Sequence, residues 1–116
     1  MELPGTLHGP DTPMRQVVVA LAHGRGIAPI VSSAGLVGVI TAGDLTRLAE
    51  QQADFGSIPA ADVMSRKPRV ARSGELAAAV VGRMEREAVI AVPVLDAAGA
   101  VIGVVHLHDL LRSGAA

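Results

Sequence analysis

The chain has 116 residues, half of them apolar, with Phe55 as its single aromatic residue, no cysteine and a formal charge of −1. Disulfides and thiolate metal sites are excluded, and scattered basic residues without stacking rings argue against nucleic acid as a partner. The longest apolar runs, such as 17–22 and 76–81, are far shorter than the ~20 residues that span a bilayer, and the first residues do not resemble a signal peptide. Together with the absence of cysteine, this predicts a cytoplasmic protein.

Residues 1–12 contain four helix-breaking glycines and prolines, which predict an irregular segment or a short edge strand. A helix follows, with Asp11 or Thr12 as its cap, Pro13 in its first turn, and Gly24 or Gly26 at its end. Its apolar positions follow helical spacing: Met14, Val17, Val18, Leu21 and Ala22.

Two short apolar runs, 27–31 and 36–40, flank turn residues and predict a β-hairpin. Gly35 is expected to supply the positive φ of the turn. Gly38 lies inside the second run, where a missing side chain indicates a bulge or the close approach of another backbone or a ligand. Asp44 is predicted to begin the next helix.

The second half of the chain repeats this order. Residues 60–64 predict one helical turn and 69–71 a short strand. A helix capped by Ser73 follows, then strands at 89–95 and 101–105, and a last helix that begins at Asp109. The apolar positions of the Ser73 helix are Leu76, Ala79, Val80 and Met84.

The two halves align residue by residue, with Pro29 matching Pro93, Gly35 matching Gly99 and Asp44 matching Asp109. The sequence therefore predicts an α+β fold of two β-α-β-β-α repeats, residues 1–56 and 57–116, with helices covering one sheet face. Residues 61–64 have no counterpart in the first repeat, which predicts that a segment preceding that repeat is missing.

The doubled segments LVGVITAGDL (36–45) and VIGVVHLHDL (101–110) resemble tandem cystathionine-β-synthase (CBS) domains, also called a Bateman module. The resemblance implies one module with pseudo-twofold symmetry. More narrowly, ADVMS (61–65) and residues 104–114 are similar to the regulatory CBS pair of arabinose-5-phosphate isomerases. The catalytic domain of those enzymes is absent from this sequence, so the resemblance implies a regulatory domain and not an enzyme.

The resemblance also implies two clefts between the repeats that hold adenosine nucleotides or related anionic ligands. Thr41 would lie near phosphate and Asp44 near the ribose hydroxyls. His106 stands where Thr41 stands in the first repeat, which makes the second cleft the weaker candidate for a nucleotide. The expected ligand-binding residues are Gly26, Ile27, Ala28, Thr41, Asp44, Ser65, Val89, Ile90, Ala91, His106 and Asp109.

Each candidate also has a purely structural interpretation. Asp44 and Asp109 are alternatively helix caps that pair with arginines three residues later, Arg47 and Arg112. Ser65 begins a basic turn that either meets a ligand phosphate or is a solvated loop. His106 and a second histidine two residues later would share a strand face, but two histidines without a third ligand do not predict a metal site.

The leading hypothesis is a non-catalytic module that binds AMP, ADP, ATP, S-adenosylmethionine or a CMP-sugar and modulates a partner or fused enzyme such as a sugar-phosphate isomerase. No cofactor is required, and no nucleophile or paired carboxylates indicate catalysis. The alternative is a ligand-free structural dimerisation module of a larger enzyme. A homodimer through helices is expected from apolar helix faces: Val17, Val18, Leu21, Ala77, Ala78 and Val81.

Overall fold

A computed structural model describes residues 7–24 and 26–112. The described residues divide into two compact units, one ending at Pro68 (the first unit) and one beginning at Arg69 (the second unit). Each described unit combines a small sheet with helices, so the α+β class is confirmed. Within the described ranges, no helix combines the length and apolarity that crossing a membrane requires.

The first unit is a two-stranded hairpin with flanking helices. Its elements are α1 (Met14–His23), β1 (Ile27–Ser32), β2 (Gly35–Thr41), α2 (Ala42–Gln51) and a 3-10 turn at Ala60–Asp62. Strand β1 pairs antiparallel with β2. Single bridges extend this pair on both sides, His8 beside Ile30 in parallel and Ser65 beside Val39 antiparallel. The parallel bridge lies close to the edge strand predicted within residues 1–12.

The second unit repeats the hairpin with one more strand. Its elements are β3 (Ala71–Arg72), α3 (Ala77–Glu87), β4 (Ala91–Leu95), β5 (Val101–His106) and α4 (Leu107–Arg112). The strand order is β3-β4-β5, with β3 parallel to β4 and β5 antiparallel to it. The connection from β3 through α3 to β4 is therefore the parallel crossover expected from the repeat.

The two hairpins share a turn glycine with positive φ and an irregularity in strand register. Gly35 has φ of 103° and Gly99 has φ of 88°, which confirms their predicted role as turn residues. The strand register shifts between Ile30 and Val31 in the first hairpin, and between Val94 and Leu95 in the second. The extra residues are Val37 in β2 and Ile102 in β5, both near the hairpin turn. A bulge of this kind bends the strand and increases its twist, so both second strands bend soon after the turn.

Aliphatic residues and methionines form one buried cluster in each unit. The first consists of Met14, Val17, Leu21, Ala28, Ile30, Ile40, Ala60 and Met64. The second consists of Ala71, Val80, Met84, Val92, Val94 and Val105. The assignment of Val17, Leu21 and Val81 to exposed interface faces is therefore wrong, because all three are buried within the chain.

Helices α1 and α3 begin without side-chain caps. Pro13 and Leu76 occupy the N-cap positions with extended backbone, and neither supplies a capping hydrogen bond. The prediction that Ser73 caps the second of these helices is wrong, as is the burial of Leu76, which is 78% exposed. Thr12 instead stabilises the preceding turn, where its hydroxyl accepts a hydrogen bond from the Gly9 amide at 3.1 Å.

Gly38, within β2, lies against Met64 and Ser65, in the segment that pairs with this strand. A Cβ at this position would be 2.7 Å from the Met64 sulfur and 2.7 Å from the Ser65 carbonyl oxygen. The predicted close approach of another backbone is thus confirmed, and it lets Ser65 exchange two backbone hydrogen bonds with Val39, at 3.1 and 2.9 Å.

Gly38→Ala is expected to lower the free energy of unfolding by about 1–3 kcal/mol, because the added methyl group overlaps backbone atoms that cannot move independently. Gly82→Ala is the matched control. Gly82 lies inside α3, where a Cβ would meet only the end of the Arg86 side chain at 3.4 Å, so this change should stabilise by about 0.5–1 kcal/mol. Urea unfolding of both variants tests the pair. Equal stability of Gly38→Ala and wild type would contradict the close approach.

Arg83 on α3 holds the segment that precedes the helix. Its guanidinium makes two hydrogen bonds to the Glu75 carboxylate, at 2.8 and 3.0 Å, and one to the Val70 carbonyl at 2.9 Å. Glu75 also accepts the Arg72 amide at 2.7 Å. The hydrogen bonds from Arg83, with those from the Arg72 backbone, lower the pKa of Glu75 from 4.5 to about 2. Glu75 precedes the helix and anchors this segment.

The stabilising contribution of Glu75 is expected to be present at neutral pH and to fall as the pH drops from 4.5 towards 2. In that window the unfolded chain takes up a proton at Glu75 while the folded chain still holds the charge, so the unfolded state binds more protons. Glu75→Gln should cost about 0.5–1 kcal/mol at pH 7, the range for solvent-accessible ion pairs. The difference in unfolding free energy between Glu75→Gln and wild type, measured by urea unfolding, should shrink as the pH falls from 4.5 towards 2. A difference that does not change with pH would contradict the pairing.

Candidate functional site

The corner where β2 enters α2 is built by a reciprocal capping box. Thr41 is the N-cap, and its hydroxyl accepts the Asp44 amide at 3.3 Å. In return, one oxygen of the Asp44 carboxylate, Oδ2, accepts the Thr41 amide at 2.9 Å and the Thr41 hydroxyl at 3.1 Å. The prediction that Asp44 begins the helix is therefore wrong by about one helical turn. Thr41 is the cap, and Asp44 is the third helical residue.

The other oxygen of the Asp44 carboxylate, Oδ1, accepts a hydrogen bond from Nη2 of Arg47 at 2.5 Å. This is the pair three residues apart expected from the sequence, and it is confirmed. The Arg47 side chain is 67% exposed and that of Asp44 is 20% exposed. The carboxylate is therefore partly enclosed, and the arginine covers it from the solvent side.

Backbone hydrogen bonding ties this corner to the start of β1. The Ala42 amide, the first of α2, donates to the Gly26 carbonyl at 2.9 Å. Ile27, which follows, pairs with Thr41 across the hairpin. Of the three expected ligand-binding residues at this point of the chain, Ile27 and Ala28 are buried, and Gly26 keeps solvent exposure.

Ser65 belongs to the same unit and lies beside β2. Its backbone pairs with Val39, two residues before Thr41 on the same strand. Ser65 is exposed, and the neighbouring Arg66 donates to the Ala61 carbonyl at 3.0 Å. The structure thus brings Gly26, Thr41, Asp44 and Ser65 into one unit around the end of β2.

The second unit repeats the backbone of this corner. The Leu107 amide, the first of α4, donates to the Ile90 carbonyl at 2.7 Å. His106 lies opposite Ala91 and takes the place of the threonine, with its Nδ1 accepting the His108 amide at 3.2 Å. Asp109 accepts Nη2 of Arg112 at 2.5 Å, the second predicted pair. Val89 is half-buried, and its amide donates to the Met84 carbonyl at 3.0 Å.

Side chains make the two corners different. Ile90, at the position of Gly26, is 60% exposed, and His108 stands where the first unit has Gly43. The rings of His106 and His108 stack with centroids 4.9 Å apart and planes inclined by 16°. The first corner is therefore lined by small residues, and the second carries an aliphatic side chain and two imidazoles.

The shared strand face proposed for the two histidines is wrong, because β5 ends at His106 and His108 is already helical. Stacking brings their rings together nonetheless. In the parts of the chain that the structure describes, no group of three or more histidine, cysteine or acidic side chains is arranged to hold a metal ion.

Gly43 is the feature of the corner that the sequence analysis did not single out. A Cβ at Gly43 would lie 3.5 Å from Nη1 of Arg47 and 3.7 Å from the Thr41 hydroxyl oxygen. The bare glycine thus lies between a guanidinium and a hydroxyl in the first turn of α2. In the sequence, only a difference between the repeats marks this position, since the second repeat has His108 where the first has Gly43.

Curated relatives share this chain's sequence over part of their length. Arabinose 5-phosphate isomerase KdsD of Yersinia pestis is 32% identical over 107 residues, which is 90% of this chain and 32% of the relative. KdsD of Pseudomonas aeruginosa is 33% identical over 92 residues, 78% of this chain and 28% of the relative. The chain therefore spans about a third of the length of the curated relatives it matches.

Solved structures share the fold over nearly the whole chain. The CBS domain pair of protein MJ0100, in complex with 5′-methylthioadenosine and S-adenosyl-L-methionine, superposes with a TM-score of 0.78 at 27% identity, covering 98% of this chain and 90% of that one. CBS domain protein PAE2072 from Pyrobaculum aerophilum, complexed with AMP, gives a TM-score of 0.82 at 22% identity, covering 100% of this chain and 95% of that one.

A family model described as the CBS domain matches residues 9–50 and 60–116, which places a match in each of the two repeats. The matched ranges include both strand-to-helix corners and both hairpins. The chain belongs to the CBS domain family, as a tandem pair.

Proposed function

We propose that this chain is a non-catalytic regulatory module that binds an adenosine-containing ligand at the corner between β2 and α2. The observation that carries the proposal is the Thr41–Asp44 capping box beside the bare Gly43. The relation to the MJ0100 pair, which was solved with two adenosine-containing compounds, supports the ligand class.

The chemistry of the corner suits a ribose that carries an anionic substituent. The Asp44 carboxylate can accept hydrogen bonds from a vicinal diol. The start of α2, a ten-residue helix, offers the positive end of the helix dipole to an anion. Gly26 and Gly43 leave room for a ligand to approach the backbone, whereas Ile90 and His108 occupy these positions in the second unit.

The regulated partner is proposed to be a sugar-phosphate isomerase. Support comes from the curated relatives, whose names identify arabinose 5-phosphate isomerases and whose matched region is about a third of their length. A ligand regulates such a partner only through unequal affinity for two arrangements of the chain. Homodimer formation and a cytoplasmic location remain predictions.

A thermal-shift titration with AMP, ADP, ATP, S-adenosylmethionine and a CMP-sugar tests the proposal. One adenosine ligand should raise the Tm saturably, by on the order of 10 °C at a hundredfold excess over Kd, because it binds the folded state alone. Asp44→Ala should abolish the ligand-dependent rise. Each variant is compared with itself without ligand, since loss of the capping box lowers stability by about 1 kcal/mol on its own.

Asp109→Ala is the matched variant, because Asp109 occupies the same helical position in the second unit and makes the same pair with an arginine. It should leave the shift intact. If no ligand moves the Tm of the wild-type chain and sedimentation shows a dimer, the ligand-free structural module becomes the better interpretation.

A further inference from the structure

The carboxylate of Asp44 is nearly saturated without any ligand. Oδ2 accepts two hydrogen bonds from Thr41, and Oδ1 accepts one from Arg47. An ionised carboxylate offers about four lone-pair directions in total. A vicinal diol that donates both hydroxyl groups to Asp44 therefore requires the position that Arg47 holds.

Arg47 can leave that position easily. Its side chain is 67% exposed and forms an ion pair within a single helical turn, and such pairs contribute little in water because solvent competes for both groups. Thr41, in contrast, bonds to Asp44 through its own backbone amide as well as its hydroxyl, so the Oδ2 side of the carboxylate stays occupied.

The guanidinium also lies where a ligand anion is expected. Nη1 of Arg47 and the hydroxyl oxygen of Thr41 flank Gly43, within 3.5 and 3.7 Å of the position that a Cβ would take. An anionic group over this glycine would lie beside the Arg47 guanidinium at the positive end of α2. A neutral group there gives Arg47 no new partner to replace the carboxylate it loses.

We propose that Arg47 is a specificity-determining residue that exchanges its bond to Asp44 for a bond to the 5′-phosphate of the ligand. The inference rests on the proposed function and names its ligand class: the module prefers a 5′-phosphorylated adenosine to the neutral nucleoside. In the neutral case Arg47 competes with the ribose for Asp44, and in the charged case it binds the ligand.

Isothermal titration of adenosine and AMP, which differ only in the phosphate, measures this exchange. The wild-type chain should prefer AMP by about tenfold or more, the size of a charge-assisted hydrogen bond expressed as an affinity ratio. In Arg47→Ala, adenosine should bind about twofold to fivefold more tightly, since the competing ion pair is gone. AMP should bind about tenfold more weakly, so the preference collapses. Arg47→Lys should restore part of it.

Two further measurements separate this role from a structural one. Raising the ionic strength should strengthen adenosine binding to the wild-type chain, because salt screens the competing ion pair, and should have no such effect on Arg47→Ala. Arg112→Ala removes the equivalent pair in the second unit and should leave both affinities unchanged.

An unchanged AMP-to-adenosine ratio in Arg47→Ala, or equal weakening of both ligands, would overturn the role of Arg47 while the binding of AMP left the proposed function intact. Failure of the wild-type chain to bind either compound would overturn both. In that case the wild-type chain and Asp44→Ala would both show no binding heat with either compound.

Discussion

One backbone hydrogen bond, present in both units, determines the shape of each strand-to-helix corner. The first amide of the helix donates to the carbonyl of the residue just before the hairpin, from Ala42 to Gly26 and from Leu107 to Ile90. Every helix leaves its first amides without internal partners. Here one of these amides binds the residue that enters the hairpin, so the two ends of the hairpin meet. The capping residue and the third helical residue lie together at this point.

This common backbone allows the two repeats to differ in chemistry without a change of fold. Thr41 and His106 both accept a hydrogen bond from an amide of the following helix, one through a hydroxyl oxygen and the other through a ring nitrogen. The glycines of the first corner are matched by Ile90 and His108 in the second. A duplicated scaffold can thus keep a polar site in one repeat and a bulkier corner in the other.

Features that depend on local chemistry were predictable from the sequence. Turn glycines at Gly35 and Gly99, the buried Met14 and Met84, and the arginine pairs of Asp44 and Asp109 all follow from spacing and residue type. Helix starts were less predictable. Ser73 and Asp44 are both favourable caps, and the choice among neighbouring capping residues depends on where the preceding strand ends.

The candidate site was predictable in composition but not in geometry. Thr41, Asp44 and Gly26 were named from the family resemblance. The position of Gly43 beside Thr41 and Arg47 depends on side-chain directions in the first turn of α2. The contact of Ser65 with Val39 joins residues far apart in the chain and leaves no local pattern. The glycine that permits this contact has a further effect. A two-stranded sheet exposes unpaired amides and carbonyls along both edges, which invite pairing with other chains. Here His8 occupies part of one edge and Ser65 part of the other, so Gly38, by admitting Ser65, shortens the strand edge that is open to pairing with another chain.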